Sequence, residues 1–323
     1  MNAWLALFLG AVGIALGGAW GLSALLLWGL PRLSALSLRG AHRADLVLTL
    51  AALPGLLALV LTGAVVSPSV LHVTGLRLDH CSIHDHHGHL CALHHPDVPL
   101  PLLILGGLLL AGTLVRALLL FRSQRREAYM LAELEALSKP GIDSDVRIIP
   151  TSQPICHAVG GWRPRVFLSP LFLDRLSPAH LAVVLVHERS HGRRQDPFLL
   201  RLLPWLWLAG LPGGEPALVA AFRLAAEDAC DAVAARTFGA LNVASALVAA
   251  ARIHLGSSLP AGLAFGETAI ERRVRRLIDG KVSDASRLVL PLGLVLAAVI
   301  LGISLLRNAE MHHNIETLLH ILG

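Results

Sequence analysis

A chain of 323 residues that is 54% hydrophobic and only 15% charged, with a mean hydropathy of +0.65, lies outside the range of soluble globular domains. It points to an integral membrane protein. The formal net charge of +5 and pI near 9.6 come largely from arginines beside apolar segments, which argues for membrane topology and anionic lipid and against direct nucleic-acid contact.

Residues 4 to 30 carry no charge, and the same holds for 46 to 66, 98 to 115 and 288 to 306. Each is near the ~20 residues that cross a bilayer core, so four transmembrane helices are predicted. The first lacks the basic start of a signal peptide and reads as a retained anchor. Its glycines, Gly10, Gly13, Gly17, Gly18 and Gly21, permit close helix packing. No oligomeric state follows from them.

Arginine placement predicts the orientation. Arg32, Arg39 and Arg43 follow the first span, Arg116, Arg122, Arg125 and Arg126 close the third, and Arg272, Arg273, Arg275, Arg276, Lys281 and Arg287 precede the fourth. The positive-inside rule then puts 31 to 45 and 122 to 287 in the cytoplasm, and both termini and the loop 67 to 97 outside. Three domains are expected: a membrane region 1–121, a cytoplasmic domain 122–287, and a last span with a short external tail, 288–323.

The external loop is rich in metal-ligand side chains: His72, His80, Cys81, His84, His86, His87, His89, Cys91, His94 and His95. The tail adds His312, His313 and His320. Imidazole and thiolate are ligands for zinc, copper and nickel, so a metal-binding loop is one reading. A Cys81–Cys91 disulfide and a polar loop without specific ligands are the others.

Inside the cytoplasmic segment, an amphipathic stretch Arg125 to Leu137 leads to the turn signal Pro140-Gly141. Val146–Pro150 and Arg165–Ser169 read as short strands flanking Cys156-His157-Ala158-Val159-Gly160-Gly161. A small sheet of this kind can hold a peptide by strand addition. Cys156 and His157 are expected to be packing residues, and Cys156 and Cys230 to be free thiols in a reducing compartment.

The strongest chemical signal is His187-Glu188-Arg189-Ser190-His191. Ser177-Pro178 ahead of it supplies a helix cap and a first-turn proline. On that helix the imidazoles at i and i+4 share one face and can bind a single metal ion, with Glu188 placed as general base; this is the H-E-x-x-H pattern of zinc peptidases. Downstream, Arg223 to Asp231 reads as a second helix with Glu227 and Asp231 on one face. Glu227 is the expected third ligand of Zn2+. Asp231 is expected to hold the imidazole proton of a ligand from outside the metal shell. Between the two helices, Pro197 to Pro212 is apolar with a Trp pair, Trp205 and Trp207. It reads equally as a segment dipping into the inner leaflet and as a buried core helix.

These residues resemble the integral-membrane zinc metallopeptidases of the BlaR/MecR signal-transducer type. The resemblance runs through Gly161-Trp162-Arg163-Pro164-Arg165-Val166-Phe167-Leu168-Ser169-Pro170, Leu176-Ser177-Pro178, His187 to His191, Arg193-Arg194-Gln195-Asp196-Pro197, Glu227 to Asp231 and Glu271-Arg272-Arg273-Val274. It implies a zincin-like (gluzincin) α+β metallopeptidase domain on four transmembrane helices of a bacterial inner membrane, with zinc on His187, His191 and Glu227 and a catalytic base at Glu188. It also implies an endopeptidase that acts on a protein or peptide substrate, such as a winged-helix repressor. The β-lactam receptors of that type carry a penicillin-binding domain after the last span, and the sequence stops at Gly323, so none is expected here. Input would then fall to the His/Cys-rich loop at His80, Cys81, His84, His86, His87, His89, Cys91, His94 and His95. A quality-control protease is the alternative. A metal transporter is disfavoured, because the four spans hold no ionisable group to line a path.

Overall fold

The computed structural model describes residues 3–34, 40–75, 98–161, 163–256 and 264–279. The fourth apolar segment, the tail and the His/Cys-rich stretch from position 76 to 97 lie outside the described residues.

Three helices are long and apolar enough to cross a membrane: α1 (Ala3–Ser34), α2 (Gly40–Val73) and α3 (Leu100–Leu137). Glycines set how closely they pack. A Cβ on Gly106 of α3 would overlap the Leu9 carbonyl of α1, and one on Gly13 would stand 2.9 Å from Leu102 Cδ1. The glycines of the first span are thus used at least partly within the chain, where small residues let helix backbones touch. The amphipathic stretch after the third span is not a separate element. It is the continuation of α3, which runs unbroken to Leu137.

A four-stranded sheet follows: β1 (Lys139–Pro140), β2 (Val146–Ile148), β3 (Cys156–Val159) and β4 (Arg165–Leu168), in the order β1-β2-β4-β3. The two strands expected from the sequence are β2 and β4, which pair in parallel. The segment between them is itself the edge strand β3, antiparallel to β4 with Ala158 opposite Val166. Helices α4 (Pro170–Arg175), α5 (Pro178–Arg194), α6 (Asp196–Leu206), α7 (Glu215–Phe238), α8 (Ala240–Gly256) and α9 (Ala264–Ile278) complete the described chain. One core lies under the sheet, where Val146, Cys156, Val166 and Leu168 meet Phe172, Leu185 and Ile253.

A second core joins the long apolar helices to α6 and α7. Ala44, Val47, Leu48 and Ala51 of α2 bury against Leu199 and Leu203 of α6, Trp207, and Leu218, Phe222 and Ala225 of α7, with Leu26, Leu27 and Leu30 of α1 packed around them. The contact is close because α7 presents alanines: a Cβ on Gly40 would stand 2.8 Å from Ala229 N and 2.9 Å from the Ala225 carbonyl.

The turn from α6 to α7 sits level with the apolar run of α2. The Leu206 carbonyl is 3.6 Å from where a Gly55 Cβ would be, and Ala209 packs with Leu16, Ala58 and Leu109. Trp207 is fully buried, its Nε1 donating to the Leu211 carbonyl at 2.9 Å, so it is a core residue and not an interfacial anchor. Of the two expected readings of Pro197 to Pro212, the structure shows packing among helices, with the tip alongside the apolar stretches of α1, α2 and α3.

Backbone carbonyls at such a level need internal donors, since an unsatisfied one costs several kcal/mol in hydrocarbon. Arg116 supplies them. Its guanidinium donates to the carbonyls of Leu208 at 2.9 Å and Gly210 at 2.8 Å and pairs with Glu215 at 2.6 Å. Arg116, an arginine that the sequence places beside a span, thus has protein partners, and the same holds below for Arg43, Arg273 and Arg276.

Candidate metal centre

Helix α5 places the first two candidate ligands. Ser177 caps it, its side chain accepting from the His180 N–H at 3.2 Å, and Pro178 opens the first turn. The helix buries Val183, Leu185, His187, Glu188 and Ser190. It ends at Gln195, the one non-glycine residue with positive φ (59°) among the described residues, which turns the chain directly into α6 at Asp196.

The i, i+4 spacing brings His187 Nε2 to 3.3 Å from His191 Nε2. From α7, Glu227 Oε2 comes to 3.3 Å from His187 Nε2, and Oε1 to 3.5 Å from His191 Nε2. His187 Nδ1 lies 3.0 Å from Asp231 Oδ1, at ion-pair distance although without hydrogen-bond alignment. His191 Nδ1 is 3.1 Å from Asp196 Oδ2. The structure thus brings together His187, His191, Glu227 and Asp231 as the sequence spacing anticipates, and adds Asp196.

This donor set fits a metal ion. His191 Nδ1 lies against Asp196, which holds its proton there, and His187 Nδ1 stands 3.0 Å from Asp231, which leaves the Nε2 lone pairs and an anionic oxygen directed into one small space. Such a trio repels itself unless a cation lies between its members. Ligands on a tetrahedral Zn2+ with bonds of ~2.0–2.1 Å sit about 3.3–3.4 Å apart; the two imidazole nitrogens stand at that separation, and one ligand atom from each of His187, His191 and Glu227 lies within 4.8 Å of the other two. Two nitrogens and one oxygen leave a fourth position open, as catalytic sites require.

Arg273, from α9, was assigned by sequence to the membrane edge. It is instead held inside the site, donating from Nε and Nη2 to Asp231 at 2.7 Å each and approaching Glu227 Oε2 at 2.8 Å. Burial opposes ionisation of both carboxyls, but Arg273 and the imidazoles win: Glu227 is held well below the usual carboxylate range and Asp231 falls to about 2. Both are anions at neutral pH.

Cys230 sits beside the second carboxylate, its thiol donating to Asp196 Oδ2 at 3.7 Å. Burial pushes this thiol up to about 11, so it is neutral at neutral pH; with His191 and Asp196 it forms a second group of potential ligand atoms that shares His191 with the first. Cys156 is buried too, and both cysteines are free thiols.

Glu188 reaches the sheet, where Oε2 accepts from the Ala158 N–H at 2.7 Å. Two hollows meet at its carboxylate. One, of about 520 Å³, is polar and is lined by Asp143, Asp145, Arg165, Arg189 and Arg193. The other, of about 170 Å³, runs under His187, Glu227 and Arg273 to apolar residues including Val183, Val243 and Leu247. Arg189, the first variable position of the motif, leaves the metal face and grips Asp145 from Nε at 2.7 Å. That bond outweighs partial burial and lowers Asp145 below its ordinary range. His157 is exposed on β3, its ring 6.4 Å from that of His254 and outside the metal cluster.

A family model described as BlaR1 peptidase M56 matches residues 96–275, more than half of the chain. The chain belongs to the BlaR1 peptidase M56 family. The matched span of this M56 peptidase holds α3, the sheet, all three candidate ligands, Glu188, Asp196 and Arg273, whereas α1 and α2 precede it. No curated protein matches the chain, and no solved structure does. The family assignment and the three apolar helices identify a membrane peptidase.

Sequence reasoning missed Asp196, Arg273 as a site residue, and the Ala158 amide. Asp196 had a usable signal: a carboxylate five residues past the second histidine, just beyond the helix end, can fold back to that ring.

Proposed function

We propose that this protein is a zinc-dependent endopeptidase of the bacterial inner membrane, with its catalytic domain in the cytoplasm, that cleaves a cytoplasmic regulator such as a winged-helix repressor. The observation that carries the reading is the convergence of His187 Nε2, His191 Nε2 and Glu227 on one point, with Glu188 and an edge strand beside it.

Zn2+ held by His187, His191 and Glu227 would supply acidification of a water and polarisation of the scissile carbonyl. The chain's own residues do the rest. Glu188 takes the proton of the attacking water and returns it to the departing amine, so one carboxylate serves as base and then acid. Asp231 and Asp196 fix the tautomer and direction of the two rings. Arg273 keeps Glu227 and Asp231 ionised. Strand β3, unpaired on its outer side, receives the substrate in extended form.

The input is proposed to be an extracytoplasmic metal ion read by the loop bearing His80, Cys81, His84, His86, His87, His89, Cys91, His94 and His95. Regulated cleavage is favoured over general quality control by the resemblance to the signal-transducing receptors and by that loop.

The test compares the protein fragments of cells carrying the active protein with those carrying Glu188→Gln. One regulator, or a small set, cut only in the active cells supports signalling. Broad loss of membrane proteins would assign quality control instead.

A further inference from the structure

Around Asp228, one residue past the candidate ligand Glu227, the chain collects more positive than negative charge. Arg43 of α2 pairs with Asp228 Oδ2 at 2.8 Å, and Arg276 of α9 pairs with the same oxygen. Asp231, a turn further on, is taken by Arg273 and His187. Arg272 feels Asp228 together with Arg276, Arg43 and Arg273, yet its Nε and Nη2 are buried without a hydrogen-bond partner among the described residues. Arg43 Nε is also buried and unpartnered. Glu271, the other nearby acid on α9, faces Arg275 at 2.7 Å.

Buried guanidinium N–H groups in a native protein have acceptors, and one left unmet costs more than an ordinary lost hydrogen bond. Three guanidiniums around one carboxylate leave a surplus of two charges, so the missing acceptor is anionic. Depth narrows the class. Arg43 lies within one turn of Leu46, where the apolar run of α2 begins, and α2 opens with no acidic residue in its first turn. A position at the start of an apolar helix suits a lipid headgroup, and the helix start adds its own partial positive charge.

We propose that Arg43, Arg272 and Arg276 form a binding site for a phosphate-bearing anion at the junction of α2, α7 and α9. Guanidinium forks match phosphate oxygens in pairs, which is why arginine is the residue for this task. Two sources share the chemistry, an anionic phospholipid headgroup and free phosphate. The site is independent of the proposed peptidase reaction, because none of its arginines touches the candidate ligands.

The test uses the full-length protein, delipidated in a neutral detergent, with thermal unfolding followed at matched ionic strength. The probes are short-chain phosphatidylglycerol, short-chain phosphatidylcholine and inorganic phosphate. A saturable rise in midpoint with phosphatidylglycerol alone supports a headgroup site, and a rise with inorganic phosphate supports the same site filled by the free ion. Arg272→Gln should weaken the responding probe by about tenfold or more, the worth of a charge-assisted bond, while exposed Arg175→Gln should leave it unchanged. Arg276→Gln replaces the first variant if that one does not fold. No saturable shift in the wild type, an equal response to phosphatidylcholine, or an undiminished response in the variant would overturn the proposal. Peptidase activity is not read, so the outcome is separate from that of the proposed function.

Discussion

The backbone N–H of Ala158 donates to Glu188 Oε2 at 2.7 Å, tying the edge of the sheet to the carboxylate beside the two imidazoles. The outward donor of β3 is thereby occupied by the group proposed as the base. A substrate strand pairing along this edge meets Glu188 at the same point, and only one carboxylate oxygen stays free for proton transfer.

Glu188→Gln retains an oxygen that can accept from Ala158 but loses the ability to take a proton. Cleavage of a protein substrate should drop by roughly two to four orders of magnitude with metal content unchanged. Loss of metal in this variant would make Glu188 structural, and near-normal cleavage would remove it from the chemistry.

Asp231→Asn removes the anion 3.0 Å from His187 Nδ1 and frees Arg273 to press on Glu227 alone. Zinc affinity should weaken by roughly 10–100-fold, as for other carboxylates behind a metal-bound imidazole. A competition titration against a chelating dye measures it, with His187→Ala as the reference for a lost ligand. An affinity equal to wild type would show that Asp231 does not orient the ring.

Acidification should release the metal. Burial lowers the tendency of both imidazoles to protonate. Asp231 and Glu227 around His187, and Cys230, Asp196 and Glu227 around His191, nevertheless raise them above the ordinary value. With raised folded-state values, the metal-free fold is stabilised by these protons at low pH and loses that contribution as pH rises through the folded values. A metal must displace the same protons, so its affinity climbs with pH across and above the ordinary imidazole range of about 6–7. Calorimetry in buffers of different ionisation enthalpy should record proton release on zinc uptake. Uptake without proton release, or affinity flat with pH, contradicts the His187–His191 assignment.

Arg43→Met breaks a buried ion pair, with side chains 10% and 8% exposed, while Arg276 still holds Asp228. The cost should therefore sit at or below the low end of the ~3–5 kcal/mol typical of a broken buried pair. It is read as a lower unfolding midpoint in detergent. Unchanged stability would mean that Arg276 alone suffices.

Replacement of His84, His86, His87 and His89 by Ala tests the loop. Cleavage should respond to external zinc, copper or nickel in the wild type and not in the variant. A switch of ~10-fold requires ~1.4 kcal/mol of differential affinity between the two states. Identical responses would return these histidines to a plain polar loop.

The parts of the site legible in the sequence are those set inside single helices. His187 and His191 share a face because of helical spacing alone, and so do Glu227 and Asp231. Asp196 was hidden because it depends on the left-handed turn at Gln195, and Arg273 because α9 folds back over α7. Counting arginines beside apolar runs ignores partners distant in sequence: Arg43 meets Asp228, Arg116 meets Glu215, and Arg273 meets Asp231. The strands were half legible, since β3 is short and carries the small residues of a turn at its end.

The core shared by α1, α2, α6 and α7 makes the peptidase inseparable from its anchor. A fragment cut away after α2 would bare Leu203, Trp207, Leu218 and Phe222 to water and strand Asp228 without Arg43. Separating the catalytic helices from α1 and α2 should therefore inactivate them, so the site works only as part of the same body as those apolar helices.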